Sequence, residues 1–180
     1  MQEGVDRRKL IEEKIAGTEA RAVTSLAFIR QAVKDFLVHA NGYSDEDIEI
    51  DREFEITLDG VKTAVSVDYI LKLRGRRFAV IKCSPGALGS RDRHLLSFAR
   101  VIDSYQIPVA VVTDGVRARI LDTVSGKLVS EDLAAMPTRT EADERVALMK
   151  PLPYPTERME REKRILLAFD AIRCTEESGE

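Results

Sequence analysis

The chain has 180 residues and 44% hydrophobic content, enough for one domain with a real core and short appendages. Its net charge of −3 excludes a generally cationic nucleic-acid binder, and no apolar run approaches the ~20 residues of a membrane span. The opening Met1-Gln2-Glu3-Gly4-Val5-Asp6 has no apolar signal region, so the expected address is the cytoplasm.

Residues 1–17 read as a helical extension, polar and ended by Gly17. Thr18 then stands as an N-cap. From about 18 to 40, Ala22, Leu26, Ile29, Val33, Phe36, Leu37 and Ala40 recur at three- and four-residue steps. That spacing predicts a helix with one core-facing stripe, and Glu19 lies near its edge. Asn41-Gly42-Tyr43 stops it. From Ile48 onward the odd positions are acidic and the even ones mostly apolar, the period of a strand with one wet face. Seven carboxylates fall between 45 and 55. They are compatible with a metal site, but a solvated strand face is the simpler reading.

Leu58-Asp59-Gly60 makes a turn. Residues 63–73 and 77–83 form a hairpin whose turn holds Gly75 among Arg74, Arg76 and Arg77. Ser84-Pro85-Gly86 breaks the second strand. A helix is expected over 88–105, and Pro108-Val109-Ala110-Val111-Val112-Thr113 reads as a buried central strand. Residues 117–122 and 127–130, split by Ser125-Gly126, give a terminal hairpin. With Pro137, Pro151, Pro153 and Pro155, the stretch 131–155 reads as a surface linker. A last helix over 156–173 could dock through Ile165, Leu166, Phe169 and Ile172. The domain plan is therefore an extension at 1–17, a core at 18–130, and a linker with a packed helix at 131–180. A helix between the third and fourth strands implies a crossover, hence an α/β fold with a mixed sheet flanked by helices.

Charge is unevenly spread. Residues 61–121 hold eleven Lys or Arg against four Asp or Glu, whereas 1–60 hold eight against fourteen. A local basic footprint can serve anionic partners even in an acidic chain; ordinary solvated charge is the plainer reading. Cys83 and Cys174 are far apart and outside any Cys-x-x-Cys spacing, which argues against disulfide or zinc frameworks.

The hairpin carries the chemistry. With a three-residue turn Arg74-Gly75-Arg76, Leu73 faces Arg77 and Asp68 faces Lys82, on the side shared by Val80. A two-residue turn would shift the pairing by one and separate them. A carboxylate beside a lysine suits metal-dependent phosphodiester hydrolysis: Mg²⁺ neutralises phosphate charge and activates water, and the lysine stabilises developing charge. The same pair is also a routine cross-strand ion pair. Two acids are the usual minimum for Mg²⁺, and Val80 stands where the second is expected.

Thr18-Glu19-Ala20-Arg21, Phe36-Leu37-Val38 with Gly42-Tyr43, Val67-Asp68-Tyr69-Ile70-Leu71, Phe78-Ala79-Val80-Ile81-Lys82 and Ala110-Val111-Val112-Thr113-Asp114-Gly115 give the chain a likeness to a known family. Across about 18–125 it resembles the PD-(D/E)XK nucleases, and more narrowly the N-terminal domain of the type I restriction enzyme R subunit. The resemblance implies a restriction-endonuclease-like αβββαβ core. It implies Asp68 as metal ligand, Lys82 as catalytic lysine and Glu19 as a helix acid joining the site. It also implies Mg²⁺ as cofactor if the site is active and none otherwise, with DNA or another nucleic acid as partner and a homodimer or larger restriction-type assembly.

The departures are specific. Val80 replaces the acid. An alternative alignment puts Lys82 at the acid's position and Ser84 at the lysine's. The Gln-x-x-x-Tyr helix motif is represented only by His94-Leu95-Leu96-Ser97-Phe98. The 180 residues hold no helicase motor, so a free-standing version is expected. Glu53, Glu55 or Glu19 could supply a migrated metal ligand. The alternatives are a non-cleaving nucleic-acid binder or a protein-interaction module. For nucleic acid the expected contacts are Arg74, Arg76, Arg77, Arg91, Arg93, Arg100 and His94, the last either a phosphate contact or a solvated histidine on the outside of its helix.

Overall fold

A computed structural model describes residues 25–177. The expected 1–17 extension and Glu19 lie outside that range. Helix α1 occupies 25–35 and passes into a π-turn at Phe36–Ala40, where the Asn41 N–H donates to Phe36 O at 3.1 Å. Gly42 at φ +76 completes the stop, a conformation glycine adopts without steric cost.

The strands are β1 (Ile48–Leu58), β2 (Val61–Leu73), β3 (Arg76–Cys83), β4 (Val109–Thr113), β5 (Arg117–Asp122) and β6 (Leu128–Asp132). They form one six-stranded sheet in sequence order. Helix α2 (Asp92–Val101) crosses over between β3 and β4, which are the parallel pair; every other pairing is antiparallel. The α/β mixed sheet is thus as expected and compatible with a restriction-endonuclease-like core.

Two apolar layers sandwich the sheet. On one face α1 packs Ile29 and Val33 onto Tyr69, Leu71, Ile81 and Val111. On the other, α2 packs Leu95, Phe98 and Ala99 onto Ile70, Val80, Ala110 and Val112. The alternation of buried neighbours along β2, β3 and β4 comes from side chains pointing to opposite faces.

The stretch expected to be a linker contains a helix, α3 (Arg139–Leu148), and α4 (Thr156–Glu177) follows. Thr138 and Glu141 form a capping box at the start of α3, and Ala142 and Val146 bury on the α1 face. Prolines on either side suggested irregular chain; they delimit the helix instead. The period-two strand β1 is also less buried than expected, with Ile50 44% exposed. On the N-terminal side of Asp68, β2 parts from β3, and residues 61–67 pair with β1 alone.

Candidate functional site at the sheet fork

Asp68 sits where β2 parts from β3, and it meets Lys82 by a different route from the one the sequence suggests. The turn has two central residues, Arg74 at φ +50 and Gly75 at φ +74, and Leu73 faces Arg76. Positive φ at both positions is what a two-residue primed hairpin turn requires. That register alone would separate Asp68 from Lys82. A bulge restores it: Lys72 pairs Arg77 but Leu71 pairs Ala79, leaving Phe78 as the extra residue. A bulge inserts one residue and re-aims the side chains beyond it. From Tyr69–Ile81 onward the register brings Lys82 opposite Asp68.

The two side chains are nearly inaccessible, at 6% for Asp68 and 8% for Lys82. Lys82 Nζ lies 3.2 Å from Asp68 Oδ2, and the Cys83 N–H donates to the same oxygen at 2.8 Å. The other oxygen, Oδ1, faces Arg30 Nε at 3.6 Å. Arg30 reaches down from α1, where Tyr69 Oη donates to its carbonyl at 2.8 Å, and its guanidinium also pairs with Asp51 on β1. Hydrogen bonding to Asp51, opposed by burial and reinforced by Asp68, holds the Arg30 guanidinium above its ordinary pKa. Burial, helped by the Asp68 charge, pushes the Cys83 thiol up to about 12, so it stays protonated and unreactive at neutral pH.

These residues do not fit Mg²⁺. Both Asp68 oxygens face nitrogen donors or cations, and the Arg30 guanidinium bridges Asp68 to Asp51. Val80 is wholly buried in the apolar layer with Ile70 and Ala110. The expected replacements lie elsewhere: Glu53 is exposed opposite Ser66, and Glu55 is exposed and paired with Lys62 at 2.7 Å. Among the described residues no group of three or more His, Cys, Asp or Glu is placed to hold a metal. Arg30 and Asp51 went unnoticed in the sequence because nothing local links α1 to the fork. Asp51, alone among β1's odd acids, has φ +49, a backbone feature no residue pattern announces.

The expected nucleic-acid contacts are scattered, and most of them are engaged. Arg74 makes a two-pronged contact with Asp143 at 2.6 and 2.8 Å, and Arg76 donates to Met149 O at 2.9 Å. Arg77 lies between Glu49 at 3.1 Å and Asp103 at 3.0 Å, over the Phe54 ring. Arg91 is half-buried. The expectation of a solvated His94 is corrected: it is 3% exposed, its ring 5.5 Å from that of Phe169. Arg100 likewise turns inward, and Arg93, partly exposed, also pairs with Glu162 of α4. Sequence placed these residues on an outer helix face; α4, unforeseen in its position, covers that face.

A second concavity, of about 490 Å³, opens between the β4–β5 end of the sheet and α3, lined by Phe78, Val109, Leu121, Val129, Arg145 and Leu148 among others. None of the described helices is long and apolar enough to cross a membrane. A family model described as type I restriction enzyme R protein N terminus matches residues 27–137. No curated protein and no solved structure matches the chain.

Proposed function

The chain belongs to the type I restriction enzyme R N-terminal family, and on that premise we propose that it engages DNA without hydrolysing it. The observation that carries this reading is the state of Asp68. A carboxylate that accepts from Cys83 N–H and neutralises Lys82 and Arg30 is serving as a structural anion. To bind Mg²⁺ it would have to give up its contacts with the buried Lys82 and with Arg30, and breaking a buried ion pair from one side is strongly unfavourable. The charges at the fork therefore satisfy one another. DNA binding is inferred from family membership. Phosphate contacts would dominate and base readout would be slight.

The test is a DNA affinity measurement against salt, without divalent ions, paired with a cleavage assay in Mg²⁺ and Mn²⁺. We expect metal-independent binding that weakens as salt rises, and intact DNA. Cleavage that requires metal and disappears in Asp68→Ala would overturn the non-hydrolytic reading. Absence of binding even at low salt would shift the function to protein interaction, for which the apolar cleft beside Leu148 is the candidate surface.

A further inference from the structure

The α2–α4 interface is built around an anion. Within 156–169 the only fully buried side chains of α4 are Glu162 and Leu166, one turn apart. A docked amphipathic helix normally buries a broader apolar stripe. Here a carboxylate that is 2% exposed enters a ring of donors. Arg93 donates to its Oε1 at 2.6 Å and Tyr154 Oη to the same oxygen at 3.0 Å. Ser97 Oγ donates to Oε2 at 2.8 Å, with Arg100 3.6 Å away.

Three of these groups belong to α2. Arg93, Ser97 and Arg100 succeed one another at steps of four and three, so they share a helix face. Arg100 is held there independently of α4, donating twice to Thr123 O at 2.9 and 3.1 Å. Two guanidinia and a hydroxyl converging on one point are suited to a phosphate as well as to a carboxylate. All three lie inside the 27–137 stretch that matches the family; Glu162 lies outside it. Among the described residues α4 also makes exposed polar contacts, through Lys163 to Thr57 O at 3.1 Å and Arg164 to Asp59 at 3.5 Å near the β1–β2 turn.

We propose that Arg93, Ser97 and Arg100 form a binding site for a phosphate of the DNA backbone, and that α4 closes it by presenting Glu162 in the phosphate's place. The proposal rests on the DNA-binding reading above. One negative charge leaves as another enters, so the exchange leaves neither arginine uncompensated. DNA binding and release of α4 become one equilibrium, and anything that weakens α4 seating strengthens DNA binding.

The experiment uses the full chain. Affinity for a DNA duplex is measured against salt for wild type, Glu162→Gln and Arg164→Glu, with hydrogen exchange of α4 amides monitored with and without DNA. Glu162→Gln keeps the shape and removes the charge. We expect it to bind roughly tenfold more tightly, within the usual range of coupling between two sites, and Arg93→Glu added to it to reverse the gain. Arg164→Glu loosens α4 at an exposed contact without touching the pocket, and it should shift affinity in the same direction. It decides the matter if Glu162→Gln does not fold. DNA should raise exchange in α4 of the wild type. If wild type binds DNA while neither variant binds more tightly and α4 exchange stays unchanged, closure of the site by α4 is overturned and the DNA-binding reading stands. If wild type and both variants fail to bind at low salt, both fall together.

Discussion

Asp68 draws its partners from two different elements, Lys82 and the Cys83 N–H from β3 and Arg30 from α1. Its contribution is best seen by asking what each change leaves behind. Asp68→Ala leaves Lys82 buried without the Asp68 charge, and breaking a buried pair from one side costs about 3–5 kcal/mol. It also leaves the Cys83 N–H without this acceptor, a further loss of about 1–3 kcal/mol where the group stays dry. Asp68→Asn with Lys82→Met removes both charges and keeps an amide oxygen for that N–H. Replacing a buried ion pair by groups of similar size is often neutral, so the double variant should recover most of the stability lost in Asp68→Ala. Urea unfolding of the three proteins checks this. A double variant no more stable than Asp68→Ala would mean that the charges themselves stabilise the fork.

At the scale of elements, α3 shows how a short helix is fixed by its first turn. Thr138 Oγ1 accepts from the Glu141 N–H while the Glu141 carboxylate accepts from the Thr138 N–H at 2.8 Å. Asn41 and Tyr43 donate to the Met136 and Pro137 carbonyls just before it. Thr138→Ala removes the cap and should cost about 1 kcal/mol, read as a lower urea midpoint with an unchanged slope; no shift would mean that tertiary docking alone sets the helix. The signal was legible, since Thr138-x-x-Glu141 is a capping box, yet four prolines pulled the reading toward a linker. The hairpin was legible for a different reason. A three-residue turn was expected and a two-residue turn with a bulge was found; both leave one extra residue on the β3 side, so both put Asp68 opposite Lys82. Turn length and bulges are interchangeable in register, which is why the pair could be foreseen and the backbone could not. The crossover order and the buried β4 were readable because they stem from apolar runs and chirality rules. The Arg30 bridge and the α4 cover were not, because they depend on where distant elements dock.

For the whole molecule, the charge asymmetry along the sequence disappears into long-range pairs. Arg74 takes Asp143, Arg77 takes Glu49 and Asp103, Arg139 takes Asp47, and Arg93 and Arg100 take Glu162. These pairs join segments distant in sequence, so their titration is felt in the global stability. For Asp47 and Glu162, burial pushes the carboxyl up, but hydrogen bonds from Arg139 and Ser44, and from Arg93, Ser97 and Tyr154, outweigh it, and both end below their ordinary values of 3.8 and 4.5. A carboxyl held low when folded binds fewer protons than when unfolded. Its stabilisation is complete above the ordinary value and is lost as pH falls through the folded one. Cys83 runs the other way: burial raises its thiol from 9.0 to about 12, so stability falls as pH climbs between those values and the unfolded thiol ionises first. Denaturant unfolding across the pH range should therefore show a plateau from about pH 5 to 9, the region where neither group titrates, with losses on both sides. The acid limb should be shallower in Glu162→Gln, which has no carboxyl to protonate there. An acid limb of unchanged steepness in that variant would show that Glu162 titrates alike in folded and unfolded chains.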